Sequence, residues 1–96
     1  MVAATNSDVL RRLKAIADPS RQAILVEAKK TPGISCNELV ERLGLSQPTV
    51  SHHLKELEES GLTDIKRKGN RLLVYAHGPT LVALASEIVS TFAPVL

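Results

Sequence analysis

The stretch from Ser35 to Ser60 constrains this chain most tightly, because it holds two short helical segments joined by Gly44-Leu45-Ser46. Ser35-Cys36-Asn37-Glu38 fits a capping box, in which the serine hydroxyl and the glutamate carboxylate each satisfy an amide at the other's end. Glu38 to Leu43 then runs as a short amphipathic helix, and Gly44, which enters the left-handed region freely, stops it. Ser46 suits an N-cap, and Pro48 fits a first turn that does not use its missing N–H. Val50, Leu54 and Leu57 follow at helical spacing, so a second helix begins near Gln47 with one thin apolar stripe. Two helices meeting across so short a turn form a helix-turn-helix over 35–60.

The polar side of the second helix differs from an ordinary solvated surface. Its first two turns hold no carboxylate before Glu56 and present Gln47, Thr49, Ser51, His52 and Lys55 instead. Glutamine pairs with adenine, serine and threonine with several base edges, and lysine or the amides of a helix start with phosphate. Two readings fit these residues alone: a helix that reads bases, or a solvated helix rich in serine and threonine. The helix and turn before it favour the first, since in a helix-turn-helix the second helix enters the major groove.

The order of motifs is then familiar. Ala17-Asp18-Pro19-Ser20-Arg21-Gln22-Ala23-Ile24-Leu25, Glu38-Leu39, the run from Leu43-Gly44-Leu45-Ser46 through Gln47-Pro48-Thr49-Val50-Ser51-His52-His53-Leu54-Lys55-Glu56-Leu57, and Ser60-Gly61-Leu62 together resemble the ArsR family of winged helix-turn-helix repressors. The resemblance covers roughly residues 10 to 77. It implies a mainly α fold of five helices with a small β-hairpin wing, and a dimer formed through the first and last helices. The whole chain, 1–96, is then a single domain, with 1–17 and 79–96 as dimerisation helices, 35–60 as the helix-turn-helix and 62–77 as the wing.

The remaining segments agree with that frame. Ninety-six residues suffice for one small core, near the size where pairing of subunits helps stability. Phe92 and Tyr75 are the only aromatics, so the core must come from Leu, Val, Ile and Ala. Asp8 to Ala17 reads as a helix with Val9, Leu10, Leu13, Ile16 and Ala17 on one side and Arg11, Arg12 and Lys14 on the other. Those basic residues read as a solvated face, with supplementary phosphate contact as the alternative. Asp18-Pro19 breaks the helix and caps the next, which runs to about Lys30 and buries Ile24, Leu25 and Ala28; an Arg21–Asp18 ion pair is expected to fix the corner.

Past Ser60-Gly61 the period changes. Leu62 to Arg67 and Arg71 to Ala76 read as two strands joined by Lys68-Gly69-Asn70, a β-hairpin. Lys66, Arg67, Lys68 and Arg71 are opposed there only by Asp64, a basic patch hidden within a formal net charge of +2. A cationic tip of this kind grips phosphates or enters the minor groove; a charged edge that resists aggregation is the other explanation. The expected DNA-binding residues are Ser46, Gln47, Thr49, Ser51, His52, His53, Lys55, Lys66, Arg67, Lys68 and Arg71. His52 and His53 are adjacent and diverge on a helix, so they cannot chelate together; His52 is expected to face DNA and His53 to pack near the backbone or a phosphate. Protonation near pH 6.5 would tighten DNA binding at lower pH.

Gly78-Pro79 restarts a helix in which Leu81, Val82, Leu84, Ala85, Ile88, Val89 and Phe92 are apolar around nearly the whole circumference. So small a domain cannot hide all of that surface, and a partner is expected. The resemblance places Val9, Leu10, Leu13, Ile16, Leu84, Ile88 and Phe92 near a two-fold axis. A two-fold dimer sets its recognition helices roughly 34 Å apart and implies an inverted-repeat operator.

Many members of the resembling family release DNA when a metal or metalloid binds paired thiolates, or Asp and His on the last helix. Here Cys36 is the single cysteine, and the last helix offers Glu87 alone with His77 ahead of it, so neither metal site nor any cofactor is expected. One cysteine also excludes an internal disulfide. Cys36 is either a redox switch or a small packed side chain. No signal peptide begins the chain, and Leu81 to Leu96, the longest apolar tract, is too short and too polar to span a bilayer, so a cytoplasmic location is expected. No nucleophile, acid–base or phosphate-loop constellation points to an enzyme. The leading expectation is a homodimeric, sequence-specific repressor of transcription. Its competitor is a winged-helix module for protein contact, which would have lost the basic tip and exposed apolar groups on the recognition helix; this chain does neither.

Overall fold

The computed structural model describes residues 7–94, so the expected dimerisation segments include residues 1–6 and 95–96 that lie outside the description. Five helices and three short strands follow one another as α1 (Ser7–Ile16), α2 (Pro19–Lys30), β1 (Ile34–Ser35), α3 (Cys36–Leu43), α4 (Gln47–Glu59), β2 (Thr63–Lys68), β3 (Arg71–Ala76) and α5 (Gly78–Phe92). The caps read from the sequence are in place. Asp18 accepts from the Arg21 amide at 3.0 Å, with Pro19 in the first turn of α2. Ser35 and Glu38 form a reciprocal capping box on α3, and Gly44 ends that helix at φ 65°.

Ile24, Ile34, Leu39, Val50, Leu57, Leu62 and Val74 are fully buried and draw α2, β1, α3, α4 and the sheet onto one centre. The hairpin forms, but its first strand runs one residue later than expected, so Lys68, read as part of the turn, pairs with Arg71 and leaves a two-residue turn of Gly69 and Asn70. Gly69 takes φ 60° while no non-glycine residue among those described has positive φ, as a turn with glycine at its first central position requires. The sheet holds a third strand that the sequence did not announce: Ile34 and Ser35 pair antiparallel with Val74 and Leu73, giving the order β1-β3-β2. Two residues carry no readable alternation, and their pairing is fixed by the distant β3.

Helix α1 is rotated relative to the expected apolar side. Val9 and Ala15 are buried, whereas Leu10 is 45% exposed and Ala17 also faces outward. Of its basic residues Lys14 is exposed, as a solvated face requires, whereas Arg11 and Arg12 are engaged by the end of α4. The Arg12 Nε donates to the Ser60 carbonyl at 2.9 Å, and Arg11 pairs with Glu59 at 2.7 Å. The end of α4 explains this, since its last carbonyls lack intrahelical partners and carry partial negative charge. In α5 only Leu84 is buried; Val82, Val89 and Phe92 are 70%, 63% and 61% exposed.

Candidate nucleic-acid interface

Helix α4 stands on the core through Val50, Leu54 and Leu57 and turns the rest of its surface outward. Ser46, Gln47, Thr49, Ser51, His52 and Lys55 are all exposed. At the N-terminal end the Ser46 hydroxyl accepts from the Thr49 amide at 3.3 Å and lies 2.8 Å from the Thr49 hydroxyl, so these two side chains are tied to each other. His52 points to solvent, but His53 is half-buried, with its Nδ1 enclosed and lacking a hydrogen-bond partner among the described residues. His53 lies toward the α1–α2 corner. The Asp18 carboxyl there is held below the usual carboxylate range, first by the Arg21 amide and to a smaller degree by the charge of His53. The expected Arg21–Asp18 ion pair spans 3.9 Å.

Strand alternation divides the basic residues of the wing between its two faces. Cross-strand pairing puts Arg67 with Leu72 on the side of Ile65 and the buried Val74, and places Lys66, Lys68 and Arg71 on the opposite side with Leu73 and Tyr75. The Lys66 ammonium sits 5.2 Å from the centre of the Tyr75 ring, a cation–π contact that keeps its charge near the root. Arg71 lies 3.5 Å from Glu38, whereas Arg67 and Lys68 carry no ion pair among the described residues.

Between the start of α3, the wing-facing side of α4 and the wing lies a cleft of about 150 Å³ lined by Asn37, Gln47, Ser51, Arg67, Asn70 and Arg71, with Ser35, Cys36 and Leu72 at its wall. It joins two expected groups of residues and adds Asn37 and Asn70, which the sequence presented only as a capping-box filler and a turn residue. Cys36 is buried. Among the described residues no group of three or more His, Cys, Asp and Glu side chains gathers where a metal could sit, and no helix is long and apolar enough to cross a membrane.

The residues expected at a two-fold interface divide as well. Val9 and Leu84 are closed over by the chain's own core, because α1 and α5 pack on each other there, and are not surface. Leu13 and Ile16 are half-buried, while Leu10, Ile88 and Phe92 stand exposed along the outer side of α1 and α5.

A capped two-helix unit whose second helix opens with two carboxylate-free turns, set beside a hairpin whose tip is basic, defines a winged helix-turn-helix DNA-binding protein. Comparison with known proteins agrees: residues 18–62 match the family model "Winged helix-turn-helix DNA-binding". The chain is 32% identical over 82 residues to the HTH-type transcriptional regulator YgaV of Escherichia coli, covering 85% of this chain and 83% of that one. It is 39% identical over 64 residues to the arsenical resistance operon repressor of Staphylococcus xylosus, covering 62% of this chain and 56% of the repressor. An ArsR-like transcriptional regulator from Rhodococcus sp. RHA1 superposes with a TM-score of 0.79 at 25% identity, over 88% of this chain and 78% of the other. The chain belongs to the ArsR family of winged helix-turn-helix transcriptional regulators.

Proposed function

We propose that this regulator is a cytoplasmic homodimeric repressor that holds an inverted-repeat operator through α4 and the wing. One observation carries the reading: the exposed start of α4 offers amide, hydroxyl, imidazole and ammonium groups without a carboxylate, beside Arg67, which with Lys68 at the wing tip carries no ion pair among the described residues. In this division Gln47, Thr49, Ser51 and His52 read base edges, while Lys55, Lys66, Arg67, Lys68 and Arg71 contact phosphate. Ser46 orders the helix start through Thr49, and His53 supports α4 from behind. Leu10, Leu13, Ile16, Ile88 and Phe92 meet their copies across the two-fold axis, and occupancy of the operator blocks the promoter.

Selection of bound fragments from random duplex DNA tests this directly, and enrichment of an inverted repeat with half-sites about one helical turn apart is expected. Gln47→Ala or Ser51→Ala then weakens binding to that operator by about 1–3 kcal/mol with little change on random DNA. Lys68→Ala instead weakens both and flattens the salt dependence. Wing variants that altered base preference while helix variants did not would reverse these roles. Repeating the selection with oxidant or divalent metal reads out any response through Cys36 or a metal.

A further inference from the structure

We propose that the cleft between the start of α3, the wing-facing side of α4 and the wing seats a single phosphate group of the bound DNA strand, with Asn37 and Asn70 as ligands beside Arg67 and Arg71. The proposal rests on the reading that α4 faces DNA and adds to it a fixed point of attachment shared by three elements.

The chemistry of the lining selects the ligand. Arg67 and Arg71, which leave the hairpin on opposite faces, both line the cleft together with Asn37, Asn70, Gln47 and Ser51, all side chains able to donate, and a tetrahedral oxyanion accepts from several directions at once. The nearest carboxylate, Glu38, is already engaged. It accepts from the Ser35 hydroxyl at 3.1 Å, lies 3.6 Å from Arg42, and reaches Arg71 at 3.5 Å. Hydrogen bonds from Ser35 hold its carboxyl below the usual carboxylate range, so it stays ionised and fixes Arg71 at the cleft. Arg67 has no competing ion pair among the described residues.

Size narrows the choice further. A volume of about 150 Å³ holds a few waters, at about 30 Å³ each, and falls short of the roughly 300–1,000 Å³ of sites that enclose an organic ligand. A strand whose bases meet α4 and whose next groove meets the wing must cross between the two, which is where the cleft lies. A phosphate fixed there sets the register in which Gln47 and Ser51 meet base edges.

Asn37 occupies the first turn of α3 and is exposed, so Asn37→Ala and Asn37→Asp both leave the fold intact, the aspartate being favourable at a helix start. The full chain is titrated with inorganic phosphate at constant ionic strength while the side-chain signals of Asn37, Asn70, Arg67 and Arg71 are followed by NMR. Saturable shifts at these groups, abolished in Asn37→Asp, are expected; their absence in the wild type overturns the seat, whether or not DNA is bound.

In a second arm, each phosphate of the selected operator is replaced in turn by a neutral methylphosphonate. One position per half-site should weaken the wild type about five- to ten-fold and leave Asn37→Ala nearly unaffected, because that variant has already lost the contact. A scan in which no position couples to Asn37 overturns the seat, and it leaves the reading of α4 standing if Gln47→Ala still loses discrimination. A wild type that binds no duplex removes the reading of α4 and the DNA ligand together, while the phosphate titration still decides whether the cleft takes an oxyanion.

Discussion

Phe92→Ala is the sharpest test of the proposed dimer. In the single chain Phe92 is 61% exposed, so removing its ring costs the subunit's own core little and leaves any loss to be read at the interface. A phenylalanine side chain buries about 150–250 Å² when enclosed. The exposed fraction of 61% therefore corresponds to about 120 Å² of apolar surface that the proposed dimer would cover. At about 25 cal/mol per Å² its complete burial is worth about 3 kcal/mol, and truncation to alanine forfeits about 2 kcal/mol of that. Two-fold symmetry counts the loss twice, so the dimer is weakened by about 4 kcal/mol at full burial and about 2 kcal/mol at half, or roughly 30- to 1,000-fold in dissociation constant. Sedimentation velocity across a dilution series measures that constant, and circular dichroism confirms that the helices persist. A dissociation constant within about three-fold of the wild type would place the interface away from the end of α5 and refute the reasoning.

Three further outcomes follow from the core, the caps and the wing. Leu57→Ala empties a fully buried position beneath α4 and should cost about 2–5 kcal/mol in urea denaturation, a loss below about 1 kcal/mol being incompatible with the packing described. The carboxyls of Asp18 and Glu38 both lie below their usual range when folded, so the unfolded chain takes up protons first; their stabilisation is present above about pH 4–5 and is lost as pH falls through the folded values. Glu38→Gln with Asp18→Asn keeps both caps and should flatten the decline in denaturation midpoint between about pH 5 and 3, an unchanged profile refuting the assignment. Lys68→Ala should lower the salt slope of operator binding by about 0.9 per subunit, and an unchanged slope would show that the wing tip touches no phosphate.

The elements that govern this molecule locally were legible in its sequence. The Ser35–Glu38 box, the Gly44 stop, the Ser46 cap and the Asp18-Pro19 corner each depend on neighbours within a few residues, and each appears in the structure where it was read. The hairpin was legible for the same reason. What escaped was set by distant partners: the pairing of Ile34 with Val74, the engagement of Arg11 and Arg12 with the end of α4, and the enclosure of Val9 and Leu84. Periodicity gives the faces of a helix but not which neighbour claims each face, so in α1 it groups Leu10 and Ala17 with the core while the structure buries Val9 and Ala15. The cleft escaped for a related reason, because Asn37 and Asn70 are far apart in sequence and meet only when β1 brings the wing against α3.

That brief strand has a mechanical consequence. Ile34 and Ser35 run without interruption into Cys36, the first residue of α3, while their backbone is stitched to the central strand of the wing, and the Gly33 amide adds one more bond to the Val74 carbonyl at 3.0 Å. The hairpin is therefore clamped at the middle of β3 to the segment that opens the helix-turn-helix. A tilt imposed on α3 carries the wing with it, and the basic tip at Lys68 and Arg71 shifts against whatever α4 is touching.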